Sequence, residues 1–192
     1  MQWLILGPWD HEATSIHLSG VNPSSKIGKR DIGMKAMSTY GETLVEFFDY
    51  FLKGADNDFA SRERVAYFNI GDNDWRYVDQ WPPAESIRQS YYLQEGGGLV
   101  QNVPEDSSAS TYEYDPQHPV IITAATNVWG RAEGLKDRRA LPLRDDVLMF
   151  ETEKTKTDLE ITGPIALELF AASSALDTDF TAALVDVYPD GY

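Results

Sequence analysis

The sequence predicts a mainly β protein, a jelly-roll sandwich preceded by one strand, one loop and one helix of an α/β kind. Two observations support this fold class. Over residues 44–52 the apolar residues recur with the period of a helix, whereas from about Arg64 they alternate with the period of a strand. Short strand candidates then follow at regular spacing between glycine-, proline- and acid-rich turns, which is typical of two packed sheets.

The α/β part begins with an apolar run at residues 2–6 that ends at Gly7-Pro8, the pattern of a strand buried on both faces beside parallel neighbours. The helix comes later. Thr39 and Glu42 have the spacing of a capping box, and Gly54 is placed to end the helix. The apolar residues of this helix fall on one face, which we call the helix stripe. The stripe consists of Leu44, Phe47, Phe48, Phe51 and Leu52.

The β part contains seven strand candidates. They are residues 65–70, 75–78, 90–93, 111–114, 147–151, 165–170 and 180–188. In the sixth, Ile165, Leu167 and Leu169 share one face, as expected for a strand that covers a core. The chain begins in a strand and ends in the turn sequence of residues 189–192, so we expect both ends to continue into further structure.

The composition excludes several functions. With 16 basic and 31 acidic residues, a net charge of −15, the protein is expected to repel nucleic acid and anionic membranes. Cysteine is absent, so neither disulfides nor thiolate metal sites are expected, and no metal or cofactor motif is present. The sequence has no apolar run near the roughly 20 residues of a membrane span and no signal peptide. This favours a cytoplasmic protein but leaves the compartment open.

One residue stands out as a candidate catalytic group. His11 follows the first strand in the sequence Gly-Pro-Trp-Asp-His of residues 7–11. The carboxyl end of a parallel strand is where α/β folds place ligands and catalytic groups. A histidine with an ordinary pKa of about 6.5 suits a general base that later returns the proton. Position alone leaves open an ordinary surface histidine.

Residues 7–11 resemble the catalytic-histidine segment of the cocaine esterase family of serine hydrolases, which includes X-Pro dipeptidyl-peptidases and α-amino acid ester hydrolases. Further similar segments follow in the family's order over nearly the whole chain. They are residues 47–54, 75–76, 81–82, 91–93, 114–116, 145–148, 158–164, 177–181 and 184–191. The sequence departs from the family at residues 120–136, where a glycine-rich stretch is usual, and at residues 137–139.

The resemblance implies an α/β-hydrolase domain followed by a galactose-binding-like jelly-roll domain, with residues 1–58 ending the first and residues 59–192 forming most of the second. His11 then matches the histidine of the catalytic triad. Because no Gly-x-Ser-x-Gly occurs in the sequence, we expect the serine and the acid to lie in an N-terminal catalytic part upstream of this chain. The implied activity is acyl transfer from a small ester, amide or peptide, as an esterase, acylase or dipeptidyl-peptidase, and the chain alone is expected to be inactive. Homo-oligomerisation is left open.

Other readings of individual residues favour structure over chemistry. We expect His17 and His118 to lie in turns or on the surface, and residues 72–74 and 177–179 to form turns rather than calcium sites. The aromatic residues at 75, 81, 91 and 92 are expected to pack rather than to stack on sugars.

The alternative function is a free-standing β-sandwich module that binds carbohydrate or another ligand. Such a module should bury the helix stripe within one copy, whereas part of a larger enzyme should leave it bare or covered by another chain.

Overall fold

A computed structural model describes residues 2–8, 26–27, 30–36, 40–105, 108–121 and 137–189 of the chain. Two compact units are formed: Met1–Glu85 with Pro116–Lys136, and Ser86–Asp115 with Asp137–Tyr192. Within the described ranges there are seven strands and one α-helix, α1, at Tyr40–Lys53. The strands are β1 Leu4–Leu6, β2 Lys26–Ile27, β3 Arg30–Asp31, β4 Val65–Asn69, β5 Asp74–Val78, β6 Tyr92–Gln94 and β7 Gly98–Val100. Short 3-10 turns lie at Met34–Ala36, Phe59–Ser61 and Leu141–Leu143. The mainly β class is confirmed.

The first unit contains a sheet in the order β1-β4-β5. β1 runs parallel to β4, with Leu4 opposite Val65, and β4 runs antiparallel to β5. Since β4 is rich in apolar and aromatic residues and β5 follows after a short polar turn, this pair is a hairpin of the kind predicted from the sequence. Asn73 adopts a left-handed conformation in that turn, with φ of 57°. Asparagine is one of the few side chains that tolerate this conformation.

Helix α1 joins the same unit through aromatic packing. Trp3, just before β1, contacts Phe47 and Phe51 of α1 with ring centroids 6.2 and 5.9 Å apart. Phe59, which is 3% exposed, lies 5.0 Å from Trp3 and 5.5 Å from Phe47. Gly54 ends the helix with φ of 68°, so the predicted glycine cap is confirmed. The other half of the prediction, the capping box, includes Thr39, which is outside the described residues.

A second small core lies where the segment before α1 packs on the hairpin. Ile32, Ala36 and Phe68 are 2%, 3% and 8% exposed and form one cluster, with Ile70 and Trp75 packed beside it. Burial of these apolar surfaces is the main stabilising contribution at this contact. Residues that are some 40 positions apart in the sequence are thereby held together.

The second unit contains the β6–β7 hairpin, in which Tyr92 is opposite Val100. Glu151 extends this pairing, because its amide donates to the Gly97 carbonyl and its carbonyl accepts from the Leu99 amide, both at 2.8 Å. Gly97 has φ of 88°, and a side chain there would meet the Met149 carbonyl oxygen at 3.1 Å. The approach of this segment to the hairpin therefore requires glycine at position 97. Of the predicted strand at residues 147–151, only the bridge at Glu151 is formed.

Three further strand predictions in the second unit are wrong. Residues 111–114, 165–170 and 180–188 have no strand partner among the described residues of the unit. Their apolar side chains are correspondingly open to solvent, with Ile165 68% and Leu167 54% exposed. An alternating pattern specifies which residues share a face, but a strand also needs a neighbouring chain to accept and donate its backbone hydrogen bonds.

Candidate active site

β1 is the strand that leads to the predicted catalytic histidine. It begins where the Leu4 amide donates to the Arg64 carbonyl at 2.9 Å and ends with Leu6 opposite Tyr67 of β4. The connection from β1 to β4 includes α1, so the carboxyl ends of two parallel strands lie at the same edge of the sheet. This is the edge at which α/β proteins carry catalytic loops. His11 itself lies outside the described residues, as do Asp10 and His17.

The predicted burial of β1 on both faces is wrong for this chain. Ile5 and Leu6 are each 37% exposed. Within the described residues β1 lies at the edge of the sheet, with β4 as its one neighbour. An apolar run indicates that a strand can be buried on both faces. Actual burial also needs covering layers and a second neighbouring strand, and the described ranges contain only one neighbouring strand, β4.

Trp3 fixes the beginning of β1. Its ring makes edge contacts with three phenylalanines, at 5.0 to 6.2 Å between centroids. The Arg64 guanidinium lies over the same ring, with its central carbon 4.5 Å from the ring centroid. Edge-on aromatic pairs and a cation over a tryptophan face both stabilise a defined ring orientation. The strand that precedes His11 in the sequence is thereby held against both α1 and the residue just before β4.

The turn between β4 and β5 contacts the segment that precedes α1. We call residues 70–74 the hairpin tip and residues 30–36 the docked segment. The Arg30 guanidinium donates to the Ile70 carbonyl at 2.6 Å and to the Gly71 carbonyl at 3.2 Å. From the other side, the side-chain amide of Asn73 donates to the backbone carbonyl of Asp31 at 3.4 Å.

Lys35 adds two more contacts between the docked segment and the hairpin. Its ammonium lies 2.8 Å from the Asp74 carboxylate, and its carbonyl accepts from the Trp75 indole N–H at 2.7 Å. The hydrogen bond from Lys35, reinforced by the Trp75 backbone amide, holds the pKa of Asp74 below its ordinary value. Charged side chains on a hairpin turn normally face water alone, so this concentration of long-range contacts distinguishes the hairpin tip from an ordinary turn.

Several of the other candidate residues lie within the described ranges. Asp72 and Asn73 lie in the predicted turn, Asp74 begins β5, and the Asp72 carboxylate pairs with Arg76. Trp75 and Trp81 pack edge-on, each 5.4 Å from a ring of β4. His118 lies in an exposed turn. Of the residues 177–179 that were predicted to form a turn, Asp177 ends an exposed bend that begins at residue 174.

Comparison with known proteins identifies the family. The sequence profile of the X-Pro dipeptidyl-peptidase C-terminal non-catalytic domain matches residues 57–192. The chain belongs to this family. The resemblance seen in the sequence is therefore confirmed, and with it the β-sandwich class, because the family's domain is a β-sandwich.

Two individual relatives extend the match beyond the family domain. The chain is 35% identical over 199 aligned residues to the cocaine esterase of Rhodococcus sp. (strain MB1 Bresler), and the alignment covers 98% of this chain and 33% of that enzyme. Among solved structures it is similar to an aminopeptidase from a marine sediment archaeon, Thaumarchaeota archaeon, with a TM-score of 0.61 and 30% identity. That match covers 81% of this chain and 26% of the aminopeptidase. The chain thus spans about a third of the length of the esterase it matches.

The family match covers only part of the first unit. The family domain begins at residue 57, so β4 and β5 belong to it while β1 and His11 precede it. The β1–β4 ladder joins the two parts in one sheet. The predicted domain boundary after residue 58 stays a prediction.

The helix stripe is only partly covered. In the first unit Phe47 packs within the aromatic cluster, whereas Phe48 and Phe51 are 44% and 42% exposed and Leu52 is 75% exposed. A self-contained module should bury such a stripe. Along the described ranges no helix is both long and apolar enough to cross a bilayer.

The contacts of the hairpin tip could not be predicted from the sequence. Arg30 and Lys35 are charged residues in a polar stretch, with no motif that links them to residues 70–75. The one signal was Trp75 at the start of a short strand, because a large aromatic residue there needs a packing partner.

Proposed function

We propose that this chain is the C-terminal part of a serine hydrolase that cleaves acyl esters or amides, with His11 as the general base. The observation that supports the proposal is the parallel β1–β4 pair, because β1 ends at the kind of sheet edge where α/β proteins carry catalytic loops and His11 follows β1 in the sequence. The match to cocaine esterase supports it further, because that alignment covers 98% of the chain and so extends well before the family domain at residue 57.

The proposed chemistry proceeds through an acyl-enzyme. A serine hydroxyl from the upstream part of the enzyme attacks the carbonyl carbon while His11 accepts the hydroxyl proton. Collapse of the tetrahedral intermediate expels the alcohol or amine, to which the histidine returns the proton. Water then attacks the acyl-enzyme by the same route and releases the acid. An upstream carboxylate holds the imidazole in its working tautomer, and upstream N–H donors stabilise the oxyanion.

The exposed part of the helix stripe supports the view that this chain works as part of a larger enzyme. Phe48, Phe51 and Leu52 present a contiguous apolar surface on α1. We propose that the remainder of an α/β-hydrolase domain covers it, as the same domain would cover the exposed faces of Ile5 and Leu6. The β-sandwich part then supports the catalytic domain and shapes its acyl pocket.

A first experiment tests the role of His11 in the full-length enzyme. His11→Ala is compared with His118→Ala, a matched control in which the exposed turn histidine is removed. Loss of one member of a catalytic triad lowers turnover by about 10⁴ to 10⁶-fold. We expect a loss of this order in the hydrolysis of an aryl ester for His11→Ala and unchanged turnover for His118→Ala. Equal turnover by both variants, with both folded, would refute the proposal.

A second experiment tests whether the catalytic triad is divided between this chain and the upstream part of the enzyme. The 192-residue chain alone should hydrolyse the same ester no faster than free imidazole, because it contains neither the proposed nucleophile nor the oxyanion donors. Saturable turnover by the chain alone, abolished by His11→Ala, would place the whole active site within these residues and contradict the proposal.

A further inference from the structure

The β4–β5 hairpin lies inside the family profile, which begins at residue 57, but it pairs with a strand outside that profile. β4 runs parallel to β1, from Leu4 opposite Val65 to Leu6 opposite Tyr67. A strand satisfies its backbone hydrogen-bonding groups through its neighbours, and within the described residues β4 is the one neighbour of β1. The hairpin therefore supplies the strand on which β1 is built.

Aromatic packing crosses the start of the profile in the same way. Phe59 lies within the profile and is 3% exposed, and its ring is 5.0 Å from that of Trp3 and 5.5 Å from that of Phe47, both of which precede the profile. The Arg64 guanidinium, also within the profile, covers the Trp3 ring at 4.5 Å. Such contacts bury apolar surface and fix ring orientation. Each side of residue 57 thus forms part of the other side's core.

Hydrogen bonds hold the chain where it passes from α1 into the profile. The Asn57 side-chain amide donates to the Glu46 backbone carbonyl at 2.8 Å, and its side-chain oxygen accepts from the Phe59 amide at 3.2 Å. Both bonds are partly buried, so it would be costly to leave them unmade. The Arg62 guanidinium pairs with the Glu46 carboxylate at 2.7 Å. Domain boundaries usually fall in exposed linkers that few contacts cross, and residue 57 is not in such a linker.

The features of a domain boundary are found further along the chain. Residues 84–91, all of them within the described ranges, are exposed and form neither helix nor strand. Ile87 is 83% exposed, although it is a large apolar residue. The first compact unit includes residues up to Glu85, and the second begins at Ser86. Low burial and the absence of regular structure are typical of a segment that joins two separately packed parts.

We propose that the structural boundary of this chain lies at residues 84–91, and that the β4–β5 hairpin folds and unfolds with β1 and α1 although the family profile assigns it to the domain that follows. A strand ladder, an aromatic cluster and an ion pair all cross residue 57, a combination that is expected inside one cooperative unit rather than between two. The family's non-catalytic domain thus contributes a strand pair to the part of the enzyme that precedes it. The inference goes beyond the proposed function and holds whether or not His11 is the general base.

Native-state hydrogen exchange of the full-length enzyme in dilute urea, measured by mass spectrometry on peptides from each element, tests this boundary. Val65 is 5% exposed and lies in β4 between Leu4 of β1 and Val78 of β5. Val65→Ala removes two buried methyl groups and should speed amide exchange about 10-fold in β1, α1, β4 and β5 alike, with exchange in β6 and β7 unchanged. Phe59→Leu, which loosens the aromatic cluster, should give the same pattern and serves if Val65→Ala does not fold.

The matched control is Gly97→Ala in the second unit, where φ is 88° and the new side chain would meet the Met149 carbonyl oxygen at 3.1 Å. It should speed exchange in β6 and β7 and leave β4 and β5 at the wild-type rate. A boundary after residue 58 makes the opposite prediction: Val65→Ala would speed exchange in β6 and β7 together with β4 and β5, and α1 and β1 would be unaffected. That result would overturn the proposal, as would an effect of Val65→Ala confined to the hairpin, or faster exchange in every element for both variants.

Discussion

Replacing Phe59 with alanine should lower the free energy of unfolding of the first unit by more than any substitution on the exposed face of α1. Phe59 is 3% exposed and lies 5.0 Å from the Trp3 ring and 5.5 Å from the Phe47 ring, with the Arg62 guanidinium carbon 5.0 Å from its own centroid. Each aromatic pair contributes about 0.5 to 1.5 kcal/mol beyond its buried area. With the lost apolar burial and the cavity left behind, the free energy of unfolding should fall by about 3 to 5 kcal/mol.

Urea denaturation followed by tryptophan emission measures this change. All five tryptophans fall within the residue ranges of the first unit, so their emission reports on that unit. Leu52→Ala is the matched control, because Leu52 is 75% exposed on the same helix and its loss should change the unfolding free energy of the chain by less than about 0.5 kcal/mol. If Phe59→Ala costs no more than Leu52→Ala, the aromatic cluster does not hold α1 to β1 and the reasoning is wrong.

Three further predictions concern a cap, an ion pair and the helix stripe. Gly54→Ala should cost about 1 to 2 kcal/mol in the same assay, because φ is 68° and open space around the position leaves backbone strain as the only cost; an unchanged midpoint would contradict the cap. Arg144 donates a hydrogen bond to the Asp146 carboxylate at 2.6 Å and thereby holds the pKa of Asp146 below its ordinary value. The pair therefore stabilises the fold at pH values above the unfolded pKa of about 3.9, and this contribution is lost as the pH falls through the lower folded pKa. Circular dichroism during urea unfolding at pH 5 and pH 3 should therefore show a smaller loss of stability for Asp146→Asn than for the wild type, and equal losses would contradict this. Leu52→Ala, neutral in the 192-residue chain, should lower the melting temperature of the full-length enzyme if a hydrolase domain covers the stripe, whereas neutrality in both would leave the stripe without that role.

The elements that the sequence predicted correctly are those that depend on near neighbours. The period of α1 and its glycine cap follow from residues within two turns of each other, and the β4–β5 hairpin follows from two apolar runs joined by a polar turn. Gly54 and Asn73 adopt the backbone conformations that their residue types favour. The family resemblance likewise depended on short motifs in a fixed order.

What failed depends on residues far apart in the chain. The alternation of Ile165, Leu167 and Leu169 is real, but it does not say which chain would pair with that segment. The bond from Arg30 to the hairpin tip joins residues 40 positions apart and has no sequence signature. β1 was predicted as a buried strand from its composition alone, while its exposure depends on neighbours that the described residues do not include.

The most direct test of the central claim is the rate at which a fluorophosphonate labels the serine of the full-length enzyme. This reagent reports activation of the nucleophile and requires no knowledge of the natural substrate. If His11 is the general base, labelling of His11→Ala should be slower than that of the wild type by at least about 10³-fold, in line with the loss of a triad member. Labelling of His11→Ala at the wild-type rate would mean that another group activates the serine, and the account given for β1 and its histidine would be wrong.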